Sequence, residues 1–225
     1  MSNPPCTPEL VGLALGPVET NCFILSAPSG PDPRGCYLID CGMDPEPLLD
    51  RVEEHSLEPR GLLLTHCHYD HVGGIERLLE RFGPMPIWVH PIEADWNRDP
   101  MLNLSGMTPW PCVAPAPDRR YEDGERLDLL GTHWDVLHLP GHSPGSVALH
   151  DPVNGILLAG DTIFSGSVGR VDFPTSDPSA MKVSLERLMT LPDQTQVHPG
   201  HGPSTTIGKE RVSNPYVLDP DALAG

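Results

Sequence analysis

The chain has 225 residues, with 14 Lys and Arg against 31 Asp and Glu, and a formal net charge of −17. Nucleic-acid and anionic-membrane partners both need clustered Lys and Arg, so neither is expected. Hydrophobic residues make up 38% of the chain, enough for a sizeable core at this length, and no run approaches the roughly 18 apolar residues of a membrane helix.

Met1 to Leu10 lacks the basic start and apolar stretch of a signal peptide, and the six cysteines form no Cys-x-x-Cys pair. Reduced thiols in a cytoplasmic protein are expected. Short β-rich runs at Leu10–Leu15, Asn21–Ser26 and Cys36–Asp40, separated by Gly and Pro, predict an antiparallel meander. Asp44 followed by Pro45 reads as a helix cap, with Leu48, Leu49 and Val52 as the apolar stripe of a helix reaching His55. Gly61–Leu64 is a continuous apolar run, the mark of a strand buried on both faces. Ile75, Leu78, Leu79 and Phe82 recur at helical spacing before Gly83, and Pro86–His90 reads as the next strand.

The stretch Asp95–Arg120 carries five prolines and the exposed-type aromatics Trp96 and Trp110. It reads as a surface excursion of the kind that serves as a functional lid. Strands follow at Arg126–Leu129, Trp134–Leu139, Val147–His150 and Ile156–Ala159. A helix capped by Asp177-Pro178 spans Ser179–Met189, Thr195–His198 is a last strand, and a C-terminal helix lies near Ile207–Ser213. Two β-rich halves, each closed by helices and with no low-complexity linker between them, predict one α/β domain over residues 1–225, built as two sheets with helices outside.

His66-Cys67-His68-Tyr69-Asp70-His71 places three imidazoles and a carboxylate within six residues, directly after a strand. Imidazoles at i and i+2 on a turn can converge on one cation while the next residues serve a second. Pro140-Gly141-His142-Ser143-Pro144-Gly145, Gly160-Asp161-Thr162 and Pro199-Gly200-His201-Gly202-Pro203 repeat one context: a ligand-type residue on a Gly-rich turn at a strand end, where α/β sites are built. His55, His90, His133, His138, His150 and His198 fall outside this pattern and read as ordinary histidines, with His138 and His198 near enough in sequence to hydrogen-bond the ligand residues.

Thr-His-x-His-x-Asp-His followed by Gly-His-Ser-Pro-Gly, Gly-Asp and Gly-His-Gly, in that order, resembles the metallo-β-lactamase superfamily. The resemblance extends to Asn21-Cys22-Phe23-Ile24 and Leu38-Ile39-Asp40. Phe164 through Phe173, with Gly200-His201-Gly202-Pro203 and Glu210-Arg211, is closest to the short, single-domain glyoxalase II-like hydrolases. The resemblance implies an αββα sandwich with a metal site at one edge. It implies that His66, His68 and His142 hold one divalent metal, that Asp70, His71 and His201 hold a second, and that Asp161 bridges them. Zn is the expected metal in at least one site, with Fe or Mn also suited to a mixed His/carboxylate set.

In such a site hydroxide becomes available at neutral pH and attacks a thioester carbonyl, with Asp70 as the catalytic residue that orients it. Arg170 matches the family's basic substrate-binding position and is a candidate carboxylate clamp, a salt bridge to Asp172 or Asp177 being the alternative. The expected substrate is a small anionic thioester. The Gly-Arg-x-Asp-Phe segment also resembles persulfide dioxygenases of the same superfamily, in which His66, His142 and Asp161 would hold a single iron. A β-lactamase or an RNA-processing nuclease fits less well, because of the acidic charge and the N-terminal sequence.

Overall fold

The computed structural model describes residues 6–224; residues 1–5, part of the stretch read as lacking a signal peptide, lie outside the described residues. The first sheet takes its six strands in sequence order: β1 (Glu9–Leu15), β2 (Thr20–Ser26), β3 (Gly35–Ile39), β4 (Glu58–Leu63), β5 (Ile87–Val89) and β6 (Arg119–Arg120). The expected meander is its β1–β3 part, paired antiparallel, whereas β3 through β6 pair in parallel. The second sheet runs β12-β11-β10-β9-β8-β7, with β7 (Arg126–Leu129), β8 (Thr132–His138), β9 (Val147–Asp151), β10 (Ile156–Gly160), β11 (Gln196–Pro199) and β12 (Thr205–Thr206). Only β10 and β11 are parallel in it.

Apolar residues sort into three layers, which makes the sandwich. Phe23, Leu25, Ile39 and Leu63 of the first sheet meet Trp134, Val136, Leu149 and Leu158 of the second, a buried cluster between the sheets. Leu38, Leu62 and Val89, on the outer face of the first sheet, pack against Leu48, Leu49 and Val52 of α1 (Glu46–Glu54) and Ile75 and Leu78 of α3 (Ile75–Phe82). α2 (Tyr69–Val72) is the single turn between them. On the far face, Leu157 and Ala159 cover Met181, Leu185 and Leu188 of α4 (Pro178–Leu188) and Ile207 of α5 (Ile207–Ser213). The αββα architecture is as expected, and alternating residues on the strands explain why both faces of each sheet are apolar.

Two local readings change. Asp44 does not cap α1: it sits in the left-handed region (φ 53°), and Pro45 takes the cap position without a side-chain hydrogen bond. At α4 the same dipeptide caps as expected, Asp177 accepting from the Ser179 and Ala180 N–H groups. Trp96 is buried, whereas Trp110 and much of the Asp95–Arg120 surface excursion are exposed as expected; buried amides fasten it, Asn97 Nδ2 donating to the Pro115 carbonyl and Asn103 Nδ2 to that of Cys112, each at 3.1 Å. Beyond α5, α6 (Pro215–Leu218) and a 3₁₀ turn complete the described chain. No described helix is long and apolar enough to cross a membrane. All six cysteines are free thiols, four of them buried.

Candidate metal centre

The ligand-type residues come from loops that leave the C-terminal ends of β4, β8, β10 and β11, so strands of both sheets deliver them to one edge of the sandwich. The edge is closed by direct links between the sheets. Thr20 and His201 form an isolated antiparallel bridge, Asn21 N–H donates to the Gly200 carbonyl at 2.7 Å, and Val147 N–H donates to that of Thr65 at 2.9 Å.

Three groups of donors converge there: His66, His68 and His142; Asp70, His71 and His201; and, between them, His66, His71 and Asp161, each group with its ligand atoms within 4.8 Å of one another. All seven sequence-predicted residues are therefore brought together. His66 Nε2 lies 3.1 Å from His68 Nδ1, which lies 2.8 Å from His142 Nε2. In the second group His201 Nε2 is 3.2 Å from Asp70 Oδ2 and His71 Nε2 is 3.5 Å from the same oxygen. Asp161 reaches both sides, with Oδ2 at 3.5 Å from His142 Nε2 and 3.4 Å from His201 Nε2, and Oδ1 at 3.4 Å from His71 Nε2. Tetrahedral ligands about 2.0–2.1 Å from a Zn ion stand roughly 3.3 Å apart, so these separations suit donors around shared cations.

The outer ring nitrogens are spoken for, which fixes the inner ones. His142 Nδ1 donates to the Arg170 carbonyl at 2.8 Å, His201 Nδ1 to that of Val18 at 3.0 Å, and His71 Nδ1 to Asp40 Oδ2 at 2.8 Å. Each ring then aims its Nε2 inward, the orientation that a ligating imidazole needs. His68 Nε2, His71 Nε2 and Asp161 Oδ1 are buried without a hydrogen-bond partner. Such atoms are costly unless something else satisfies them, and a cation fits the requirement for His71 and Asp161.

The charges divide the site in two. Burial pushes His66 well below the usual imidazole range, helped by neighbouring imidazoles, and it lowers His68 to about 3 and also lowers His142. The first triad is therefore neutral, with lone pairs free for an ion. Burial opposes the proton of His71 too, but Asp70, Asp40 and Asp161 outweigh it and raise that group, and against burial Asp161 and Asp70 raise His201 to about 10. Burial likewise opposes ionisation of Asp70 and Asp161, yet His71 above all holds both carboxyls below their ordinary value. The carboxylates thus favour positive charge in this half of the site, and a bound cation would compete with protons for the same ring nitrogens.

Asp40, Thr20 and Asn21 also serve this centre, and sequence reasoning gave them no role, although Asn21 and Asp40 fall in segments that carry the family resemblance. Asp40, buried after β3, accepts from Thr65 N–H and Thr65 Oγ1, both at 2.7 Å, as well as from His71. Its signal was present, a carboxylate closing an apolar strand just as Asp161 does. Thr20 donates its hydroxyl to Asp70 Oδ2 at 2.9 Å, and Asn21 Nδ2 holds the carbonyls of Pro199 and Gly202 on either side of His201. His138 reaches the Pro144 carbonyl and stacks on His90, and His198 pairs with Ser204, so neither touches a ligand side chain.

Above the donors lies a cleft of about 310 Å³ whose walls include Val18, Tyr69, Leu104, Phe164, Val168 and Phe173. Phe173 meets the rings of His68 and His142 edge-on, with centroids 5.6 and 5.7 Å apart, and Phe164 meets His201 at 5.8 Å. Arg170 stands on the rim, exposed, its guanidinium 4.5 Å over the Phe173 ring and doubly hydrogen-bonded to Asp172 at 2.8 Å.

Comparison with known proteins agrees with this geometry. The chain is 36% identical over 202 residues to "Hydroxyacylglutathione hydrolase GloC" of Haemophilus influenzae, a match covering 88% of this chain and 93% of that protein. Among solved structures, "BLEG-1 B3 metallo-beta-lactamase" superposes with a TM-score of 0.86 at 34% identity, covering 93% of this chain and 99% of the other. "TTHA1623 in a di-iron-bound form" superposes with a TM-score of 0.81 at 41% identity, covering 92% and 99%. The family description "Metallo-beta-lactamase superfamily" matches residues 15–201, from the end of β1 to the last histidine of the cluster. The chain belongs to the metallo-beta-lactamase superfamily, whose members are mostly metal-dependent hydrolases.

Proposed function

We propose that this chain hydrolyses small anionic acyl thioesters, the reaction class of glyoxalase II-like enzymes, with two divalent metal ions of which at least one is Zn. The observation that carries the reading is the completeness of the second donor group. Asp70, His71 and His201 converge within 4.8 Å of one another, as the first triad does, and are held from outside by Thr20, Asp40 and the Val18 carbonyl. A persulfide dioxygenase that used one iron on His66, His142 and Asp161 would leave that supported group idle. The named hydrolase relative and the di-iron neighbour add weight on the same side.

Ions held by the two triads would polarise the acyl carbonyl and make hydroxide available near neutral pH. The Asp70 carboxylate, steadied through Oδ2 by Thr20, would accept a hydrogen bond from the attacking water and so aim it. Phe164 and Phe173, packed against the ligand rings, would keep bulk water from the reacting carbonyl. A leaving thiolate of pKa about 8.5 needs no strong acid to receive it, which suits a cleft whose walls present none beyond the donor set. Arg170 would exchange its Asp172 partner for a substrate carboxylate. An exposed ion pair contributes only about 0.2–1 kcal/mol, so the exchange is cheap and the gain modest. Arg170→Ala is accordingly expected to raise KM about two- to five-fold with kcat unchanged, as measured on an anionic thioester.

The deciding experiment measures metal content together with turnover of S-lactoylglutathione and simpler acyl thioesters. Close to two metal equivalents and thioester cleavage are expected. One tightly held iron with oxygen uptake on glutathione persulfide would replace this reading with the dioxygenase, and turnover confined to a β-lactam would replace it with a lactamase. Chelation should also lower the melting temperature by about 10–20 °C. Each site saturated to 100 times its Kd contributes about 2.7 kcal/mol, and a domain of this size shifts by roughly 2–4 °C per kcal/mol.

A further inference from the structure

Glu93 is a fully buried carboxylate outside the ligand set. It ends a 3₁₀ turn, Pro91–Glu93, that follows β5, and it points between two loops that are remote in sequence. Its Oε2 accepts from the backbone N–H of Cys67 at 2.7 Å, and its Oε1 accepts from Ser143 Oγ at 2.5 Å and Gly145 N–H at 2.7 Å. Cys67 stands between His66 and His68, and Ser143 follows His142. One side chain thus ties together the two loops that carry the first triad. It makes no hydrogen bond to the loops of Asp161 or His201.

Two features show that the contact is close-fitting. A Cβ at Gly145 would lie 2.7 Å from Glu93 Cγ and 2.9 Å from Oε1, so the loop can approach the carboxylate only without a side chain there. Every donor around Glu93 is an N–H or O–H, so both oxygens must accept. A glutamine, with one oxygen and one NH₂, would turn a donor towards a donor and strand one of the loops. The turn that delivers Glu93 continues into Trp96, whose ring stacks on His68 at 6.2 Å and 28°, so the same turn backs a ligand ring.

We propose that Glu93 is the positioning residue of the first metal triad, setting the distance between the His66–His68 loop and the His142 loop, and that it has no comparable part in the second. The inference rests on the metal reading above and is tested by metal binding rather than turnover. Co(II) affinity and its visible absorption are measured in two backgrounds, H201A, which leaves the first triad, and H142A, which leaves the second. Adding Glu93→Gln should weaken Co(II) about 10–100-fold and shift its spectrum in the H201A background, with less than a twofold change in the H142A background. A role confined to general stability would weaken both alike. Should E93Q fail to fold, Ser143→Ala, which removes a single donor, takes its place, with a weakening of several-fold expected in the H201A background alone. Equal losses in both backgrounds, or none in H201A, overturn this inference while leaving the metal reading intact. Absence of Co(II) binding by the wild-type chain overturns both.

Discussion

Asp70→Asn is expected to cut thioester turnover by roughly 10²–10⁴-fold, the range seen when a positioned proton acceptor is lost, and to lower bound metal from about two equivalents to about one. The two effects have one cause. Asp70 Oδ2 receives the Thr20 hydroxyl at 2.9 Å and lies 3.2 Å from His201 Nε2, so an amide there exchanges a negative acceptor for a neutral group that can also present N–H to its neighbours. The second donor group loses its charge and its geometry together. His66, His68 and His142 do not depend on Asp70 for any hydrogen bond; they keep their backing from Thr65, the Arg170 carbonyl and Glu93. One metal should therefore remain. Full activity in D70N would eliminate the two-metal mechanism, whereas loss of both metals would show that the triads are not separable.

Local context decides which parts of the site can be read in the sequence. The ligands His66, His68, Asp70 and His71 are contiguous, and His142, Asp161 and His201 each sit on a Gly turn after an apolar strand, so their chemistry and their placement share one signal. Asp40 carries a weaker form of it. Glu93 carries none, because its partners are backbone N–H and hydroxyl groups 26 to 52 residues away, and no periodicity marks a carboxylate that serves loops rather than an element.

The same distinction separates the well-read strands and helices from the excursion. β2, α1 and α3 follow from apolar spacing, but Trp96 is buried in a segment whose order comes from Asn97, Asn103 and Ser105 bonding to backbone. Composition shows the exposed path of such a segment but not the buried residues that pin it. Asp44 shows the limit of short motifs. Asp-Pro caps α4 from an extended Asp177 (φ −141°), while the same pair before α1 leaves Asp44 left-handed and uncapping. The dipeptide is compatible with both conformations, and the chain around it chooses.

Gly200→Ala is the other substitution expected to be severe, and it isolates geometry from chemistry because no ligand is removed. Gly200 lies outside the left-handed region, so alanine suits its backbone. The added Cβ would nevertheless stand 2.1 Å from Asp161 Oδ1 and 2.9 Å from His71 Cε1. Neither can yield cheaply. Asp161 also faces His142 and His201 at 3.4–3.5 Å, and His71 is held by Asp40. A displacement of about 1 Å in a reacting array costs on the order of 10²-fold, so turnover should fall at least that far, with the second metal lost and the first weakened through Asp161.

Gly202→Ala supplies the contrast two residues on. There the backbone is left-handed (φ 73°), but a Cβ meets nothing within 4 Å. That variant should lose roughly 1 kcal/mol of stability, keep both metals and retain turnover within a few-fold. Metal analysis and kinetics on the pair decide the matter. If G200A stays active while G202A does not, the His201 turn matters for its backbone conformation. The reverse pattern places its importance in the close approach of the chain to the bridging carboxylate.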